Sequence, residues 1–177
     1  MEKRAVFKVS SDKLCNSLIK YGCIPNKSKL GIPFNFSLIN RELWSHFIRG
    51  FFDGDGCVYV KTIKNRYVRK TTQIIKNPFR EKLSKVISFC STSEQFLKNI
   101  LIVLTDSCSL TSKPQWNNRL RTQMIYVLKI EGQKDVKSIQ EFLYKKATIF
   151  MKRKFDKFNK TISSQAVDIF TEGSETT

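Results

Sequence analysis

The run Leu43-Trp44-Ser45-His46-Phe47-Ile48-Arg49-Gly50-Phe51-Phe52-Asp53-Gly54-Asp55-Gly56 constrains the fold more than any other stretch of the chain. Leu43, Phe47, Ile48, Phe51 and Phe52 recur at helical spacing, and Cys57-Val58-Tyr59-Val60 follows at once with strand-forming residues. The run therefore predicts a helix, Arg41 to Phe52 with Asn40 as its N-cap, that delivers two acids to a helix-to-strand junction. Gly50 and Gly54 lie four apart on one helical face. Each interior glycine weakens a helix by about 1 kcal/mol relative to alanine, so the pair implies the close approach of another backbone. Asp53 and Asp55 fall in the last turn, where the helix dipole disfavours anions by roughly 0.3–1 kcal/mol. A bound cation reverses that penalty.

Three simpler readings of Asp53-Gly54-Asp55-Gly56 compete. A tight hairpin turn at Asp-Gly is opposed by the helical period before it. A calcium loop of EF-hand type fails because Val58 stands where the obligatory glycine belongs and Lys64 where the bidentate glutamate belongs. A plain helix C-cap at Gly56, with both acids incidental, stays open.

The chain has 177 residues, enough for one domain with a real core, and carries 32 Lys+Arg against 15 Asp+Glu, a formal net charge of +17. So large a charge opposes folding by self-repulsion and favours a polyanionic partner. No apolar run approaches the ~20 residues of a membrane span, and no signal-peptide pattern opens the chain. Five scattered cysteines without a C-x-x-C pair read as reduced core residues of an intracellular protein. His46, the single histidine, reads as a packing residue, which leaves zinc chemistry and a histidine-based triad almost no raw material.

In chain order, Ala5 to Val9 reads as a strand, and Ser10-Ser11-Asp12 caps a helix over Lys13 to Tyr21 closed by Gly22, with Leu14, Leu18 and Tyr21 as its apolar stripe. Residues 24–33 read as a linker. After Gly56 a strand runs to about Ile63. Residues 61–85 hold nine Lys/Arg and one acid, Glu81, and read as a long basic loop, with a possible turn at Lys64-Asn65-Arg66. Val86 to Ser91 is the next strand, and Ser93 caps a helix carrying Phe96, Leu97, Ile100, Leu101 and Leu104. Ser109 to Trp116 and Leu120 to Ile130 form a hairpin around Asn117-Asn118-Arg119. Lys134 to Phe150 is helical, a short helix continues through Lys157, and the tail from Ser163 is polar.

From Arg41 onward this order is helix, two strands, helix, two strands, helix: an α+β fold on an antiparallel sheet. Leu120, Met124, Tyr126, Leu128 and Ile130 make one apolar face; Ser88, Cys90, Ser109, Thr111, Lys113, Gln115, Arg121 and Gln123 make the other, which reads as cationic and free of acids. Such a face suits phosphates. A weak repeat pairs Val6-Phe7-Lys8-Val9 plus helix with Val127-Leu128-Lys129-Ile130 plus helix. It divides the chain into a partial preceding repeat (1–39), a complete domain (40–160) and a polar tail (161–177).

Ile48-Arg49-Gly50-Phe51-Phe52-Asp53-Gly54-Asp55-Gly56 closely resembles the nine-residue signature of the LAGLIDADG homing endonucleases, with a lead-in similar to intron- and intein-encoded members. The resemblance implies an αββαββα unit with a saddle-shaped antiparallel sheet. It also implies a site-specific DNA endonuclease that makes metal-dependent double-strand cuts. Asp55 would bind Mg2+ with help from the Gly54 carbonyl, two signature helices would pack through Phe47, Gly50, Phe51, Asp53 and Gly54, and Lys146 (or Lys145) would supply the basic catalytic group. Ser93 is a loose match to a further polar position. Double-stranded DNA would lie on the polar sheet face. Its bases would meet Ser88, Lys113, Gln115, Asn117, Arg119, Arg121 and Gln123, and its phosphates Lys61, Lys64, Arg66, Arg69 and Lys70.

The chain departs from the two-motif pattern in carrying one signature. The second acid then comes from a homodimer partner or from a partner half, or this copy is decayed. An intron RNA maturase or a non-cleaving nucleic-acid-binding protein on the same fold is the alternative, and an unrelated basic ribosome-associated protein a distant third. Phenylalanine-, lysine- and isoleucine-rich usage suggests an AT-rich genome, mitochondrial, chloroplast or phage.

Overall fold

The computed structural model describes residues 8–26, 29, 34–66, 79–120 and 124–159. Helix α1 (Asp12–Lys20) starts where Ser11 Oγ accepts the Leu14 N–H. Its stripe of Leu14, Leu18 and Tyr21 is exposed, and none of its residues is buried. Two short 3-10 turns, Phe36–Leu38 and Arg41–Leu43, lead into α2 (Trp44–Asp55). Asn40 caps the second of these turns rather than α2 itself, accepting the Glu42 N–H.

Four antiparallel strands follow in two pairs, β1 (Cys57–Arg66) with β2 (Phe79–Ser91) and β3 (Gln115–Leu120) with β4 (Met124–Glu131), in the sheet order β1-β2-β4-β3. Helix α3 (Glu94–Cys108) joins the pairs, and α4 (Gln133–Tyr144) and α5 (Lys152–Asn159) close the described chain. The expected order of helix, two strands, helix, two strands, helix is therefore present from Trp44 to Tyr144, and the fold is α+β.

The covered side of the sheet carries Val58, Ile87, Phe89, Leu128 and Ile130, which pack with Ile48 and Phe52 of α2, Leu97, Ile100 and Leu104 of α3, Ile139 and Leu143 of α4 and Phe158 of α5. An aromatic seam runs through this core. Phe52 meets Phe89 and Phe158 at ring separations of 5.4 and 5.6 Å, and Phe51 meets Phe96 edge-on at 4.8 Å. Ser93 caps α3 as expected, accepting the Phe96 N–H.

Several expectations are corrected. Residues 8–10 are not in a strand, and residues 1–7 lie outside the described residues. Lys64-Asn65-Arg66 is no turn: β1 and β2 pair from Cys57↔Ser88 out to Arg66↔Phe79, so both flanks of the basic stretch are paired strand, while 67–78 lie outside the described residues. Residues 109–114 are not strand either. Ser109 is left-handed (φ 48°), Pro114 has no N–H for a ladder, and the N–H groups of Thr111 and Ser112 bond to Asp135 instead. Asn117, Asn118 and Arg119 pair with Val127, Tyr126 and Ile125 inside the ladder, and the connection falls at 121–123, outside the described residues. The reason is that β3 is exposed throughout, so burial does not specify its register. Helix α4 ends at Tyr144, not Phe150, where Arg49 of α2 captures the backbone in its last turn and beyond: Nη1 and Nε donate to the carbonyls of Leu143 (3.0 Å) and Ile149 (3.1 Å).

Asp135, 2 % exposed in the first turn of α4, locks the α3–β3 connection. Its carboxylate accepts the N–H groups of Thr111 (3.1 Å) and Ser112 (2.7 Å) and the Thr111 hydroxyl (2.9 Å). Burial alone raises its pKa, but these bonds to Ser112 and Thr111 outweigh it and hold the carboxyl below its ordinary 3.8. A lowered folded pKa means that the stabilisation is fully present above the ordinary value and is lost as pH falls through the folded one. Asp135→Asn is expected to cost about 1–3 kcal/mol near neutral pH, with a difference from wild type that shrinks below pH 4 in urea unfolding; an unchanged midpoint would contradict the lock.

Candidate active site and nucleic-acid interface

Helix α2 is held on one flank and bare on the other. On the held flank Arg49, 8 % exposed, reaches the end of α4 and bonds His46 Nδ1 through Nη2 at 2.9 Å. Asp53 accepts the Tyr144 hydroxyl on Oδ1 (2.8 Å) and the Met151 N–H on Oδ2 (2.9 Å). Burial first, then Asp53, pushes the Tyr144 phenol well above its ordinary 10.0. Both Asp53 oxygens are thus engaged inside the chain.

The last turn of α2 is closed from α5. Lys154, 6 % exposed, donates to the carbonyls of Phe52 (2.7 Å), Gly56 (2.6 Å) and Gly54 (3.3 Å) and sits 5.3 Å from the Phe52 ring centre. Burial lowers its pKa below the ordinary 10.5, while Asp53, Cys57 and Asp55 pull the other way. A cation at a helix C-terminus offsets the dipole and occupies carbonyls that have no partner within the helix. Gly56 completes the closure. A Cβ there would lie 2.1 Å from Phe52 Cδ2 and 2.7 Å from the Phe52 carbonyl oxygen, so only glycine fits.

The bare flank carries Gly50 and Gly54. Both are exposed, and a Cβ at either meets nothing within 4 Å. Phe47 and Phe51 are half-buried beside them, Phe47 stacked on Phe34 at 4.1 Å. Gly50, Phe47, Phe51 and Asp55 line a groove of about 690 Å³ together with Ser91, Thr92, Ser93 and Ile125. Asp55 is exposed at the groove's end. Its charge reaches the open sheet face: burial raises the Cys90 pKa, Asp55 and Cys57 add to the rise, and Arg119 and Lys129 oppose it.

Asp55 and the Gly54 carbonyl are hard oxygen donors of the kind magnesium takes. Among the described residues, no group of three or more His, Cys, Asp or Glu is placed to hold a metal. One carboxylate and one carbonyl fit part of a magnesium shell whose remainder is water and phosphate oxygen.

On the open face, strand register aligns Cys57, Ser88, Lys129 and Gln115 in one row, and Cys90, Val127 and Asn117 in the next, with Arg119 beyond opposite Ile125. Lys61 lies on the same face, opposite Ser84. Gln115, Asn117, Arg119 and Lys61 are exposed, whereas Ser88 is buried (6 %) with its hydroxyl near the Cys57 carbonyl. Lys64 and Arg66 fall on the other register, that of Val58. Lys113 is exposed but precedes the strand. Arg69, Lys70, Arg121 and Gln123 lie outside the described residues. The face is not free of acids: Glu131 stands on it, because β4 runs one residue beyond Ile130.

Lys145 and Lys146 are exposed in the turn after α4; the lysine that contacts the signature is Lys154. Sequence reasoning passed over Lys154, Arg49, Lys129 and Glu131. Lys154 had a readable signal, since it lies four residues from the apolar Phe158 and so shares its helical face.

No protein-family model and no curated protein matches the chain. Solved structures similar to it include the homing endonuclease I-CvuI in complex with the I-CreI target in the presence of Mg (TM-score 0.44, 16 % identity, 71 % of this chain and 65 % of that one). The homing endonuclease I-TnaI (0.42, 19 %, 65 % and 66 %) and the group I intron-encoded I-CeuI complexed with DNA (0.43, 14 %, 83 % and 67 %) are others. The chain thus spans about two thirds of their length. Among its described residues, no helix is long and apolar enough to cross a membrane.

The two classes of glycine separate in a stability measurement. Gly56→Ala is expected to cost about 1–3 kcal/mol by overpacking against Phe52. Gly50→Ala is expected to stabilise the isolated chain by about 0.5–1 kcal/mol through helix propensity. Thermal unfolding of both variants checks the pair; a destabilising Gly50→Ala would mean that its flank is packed after all.

Proposed function

We propose that the chain is a site-specific DNA endonuclease of the LAGLIDADG type that forms one half of a paired active site. The observation that carries this reading is the position of Asp55: exposed, at the end of a helix whose Gly50–Gly54 flank is bare, beside an open sheet face bearing Lys61, Arg119 and Lys129. The net charge of +17 supplies the affinity for a polyanion.

Asp55 and the Gly54 carbonyl would hold Mg2+, which would supply water activation and charge compensation at the scissile phosphate. Lys154 fixes the turn that presents Asp55, its ammonium lying against the carbonyls flanking it, and the basic catalytic group stays assigned to Lys146 or Lys145. Asp53 and Arg49 fix the helix from behind. Gln115, Asn117 and Arg119 face base edges in the major groove, and Lys61 faces phosphates. A second signature helix, from another copy of the chain or from a partner half, packs on Gly50 and Gly54 and brings the second carboxylate.

The lone carboxylate also suits a non-cleaving binder or an intron RNA maturase on this fold. Cleavage separates the readings. A duplex carrying the cognate site is expected to be cut on both strands only with magnesium, and Asp55→Asn is expected to lower the rate about 10³-fold or more while binding persists. Undiminished cutting by Asp55→Asn refutes the metal role, and selective binding without cleavage under any divalent metal favours the binder. Light scattering of the DNA complex tests the pairing: two chains per site are expected, and one chain that cuts both strands refutes the half-site.

A further inference from the structure

Glu131 ties three strands of the open face together. Its Oε2 accepts a hydrogen bond from Gln115 Nε2 of β3 at 3.3 Å and lies 3.6 Å from Lys61 Nζ of β1. Its Oε1 is buried and has no hydrogen-bond partner among the described residues. To reach Glu131, Lys61 crosses β2 at the level of Ser84 and Val86. Those two residues are 6 % and 2 % exposed.

A carboxylate on a surface meant for DNA repels phosphate. The half-exposed ion pair with Lys61 is too weak a stabiliser to account for it. What the carboxylate does is orient an amide. With its N–H committed to Glu131, the Gln115 side chain cannot flip, because a flip would set its carbonyl oxygen against Oε2, acceptor to acceptor. The free edge of the amide then offers one remaining N–H and one carbonyl oxygen, the pair complementary to N7 and the N6 amino group of adenine.

We infer that Glu131 is a positioning residue that makes Gln115 a reader of adenine, with Lys61 compensating its charge. This rests on the open face binding duplex DNA as proposed above. Glu131→Gln removes the enforced polarity, because a glutamine presents both a donor and an acceptor to Gln115 and admits either flip.

The test is selection of duplexes from a randomised pool by the wild-type chain, Glu131→Gln, Glu131→Asp and Gln115→Ala, with affinity measured on the selected and on scrambled duplex. The wild type is expected to prefer adenine about tenfold or more at one position of each half-site. Glu131→Gln and Gln115→Ala are expected to lose that preference and no other, and Glu131→Asp to keep part of it. Glu131→Gln is also expected to bind scrambled duplex more tightly, since one negative charge leaves the face. A merely structural role would lower stability and affinity and leave base preference unmoved. Gln115, being exposed, can be truncated without a folding defect. If Glu131→Gln or Gln115→Ala keeps the wild-type preference at every position, the inference is overturned and the endonuclease reading survives. A wild type that selects no duplex overturns both.

Discussion

The ammonium of Lys154, buried against the carbonyls of Phe52, Gly54 and Gly56, is the contact on which the site depends. A helix that ends in acids exposes its negative end together with carbonyls that lack partners. Here a cation from α5 meets both demands, and the Phe52 ring closes over it. With the last turn held, Asp55 has a defined position, and the chain passes through Gly56 straight into β1.

The same helix shows why the two acids of the signature differ. Asp53 spends its oxygens on Tyr144 and the Met151 N–H and thereby fixes the turn between α4 and α5. Arg49 does the same for the carbonyls of Leu143 and Ile149. One flank of α2 thus carries polar contacts from its own chain, and on the other a Cβ built at Gly50 or Gly54 would meet nothing within 4 Å. Among the described residues that flank opens on the groove that Asp55 lines.

The open sheet face is a second consequence of uneven covering. Helices α2, α3, α4 and α5 pack on one side, so alternation along the strands sends Lys61, Lys129, Gln115 and Arg119 to the other. Glu131 lies among these residues as a carboxylate held by Gln115 and Lys61. The orienting role inferred for it rests on these two contacts.

Much of this was legible in the residues by themselves. Helical spacing from Leu43 to Phe52, the Asp-Gly-Asp-Gly junction, the cap at Ser93 and the alternation of Tyr126, Leu128 and Ile130 are local patterns, and local patterns set the order of elements and the face each one buries. The charge of +17 made a polyanion the expected partner. Tertiary structure alone decided which lysine reaches the signature, because Lys154 and Gly54 are a hundred residues apart and Lys146 differs from Lys154 only in what packs beside it. It also decided the register of β3, since an exposed strand carries no burial pattern to specify one, and so the place of Asn117 and Arg119 in the ladder rather than in a turn. The meeting of Lys61, Gln115 and Glu131 has the same origin: three residues on three strands become neighbours only when the sheet is assembled.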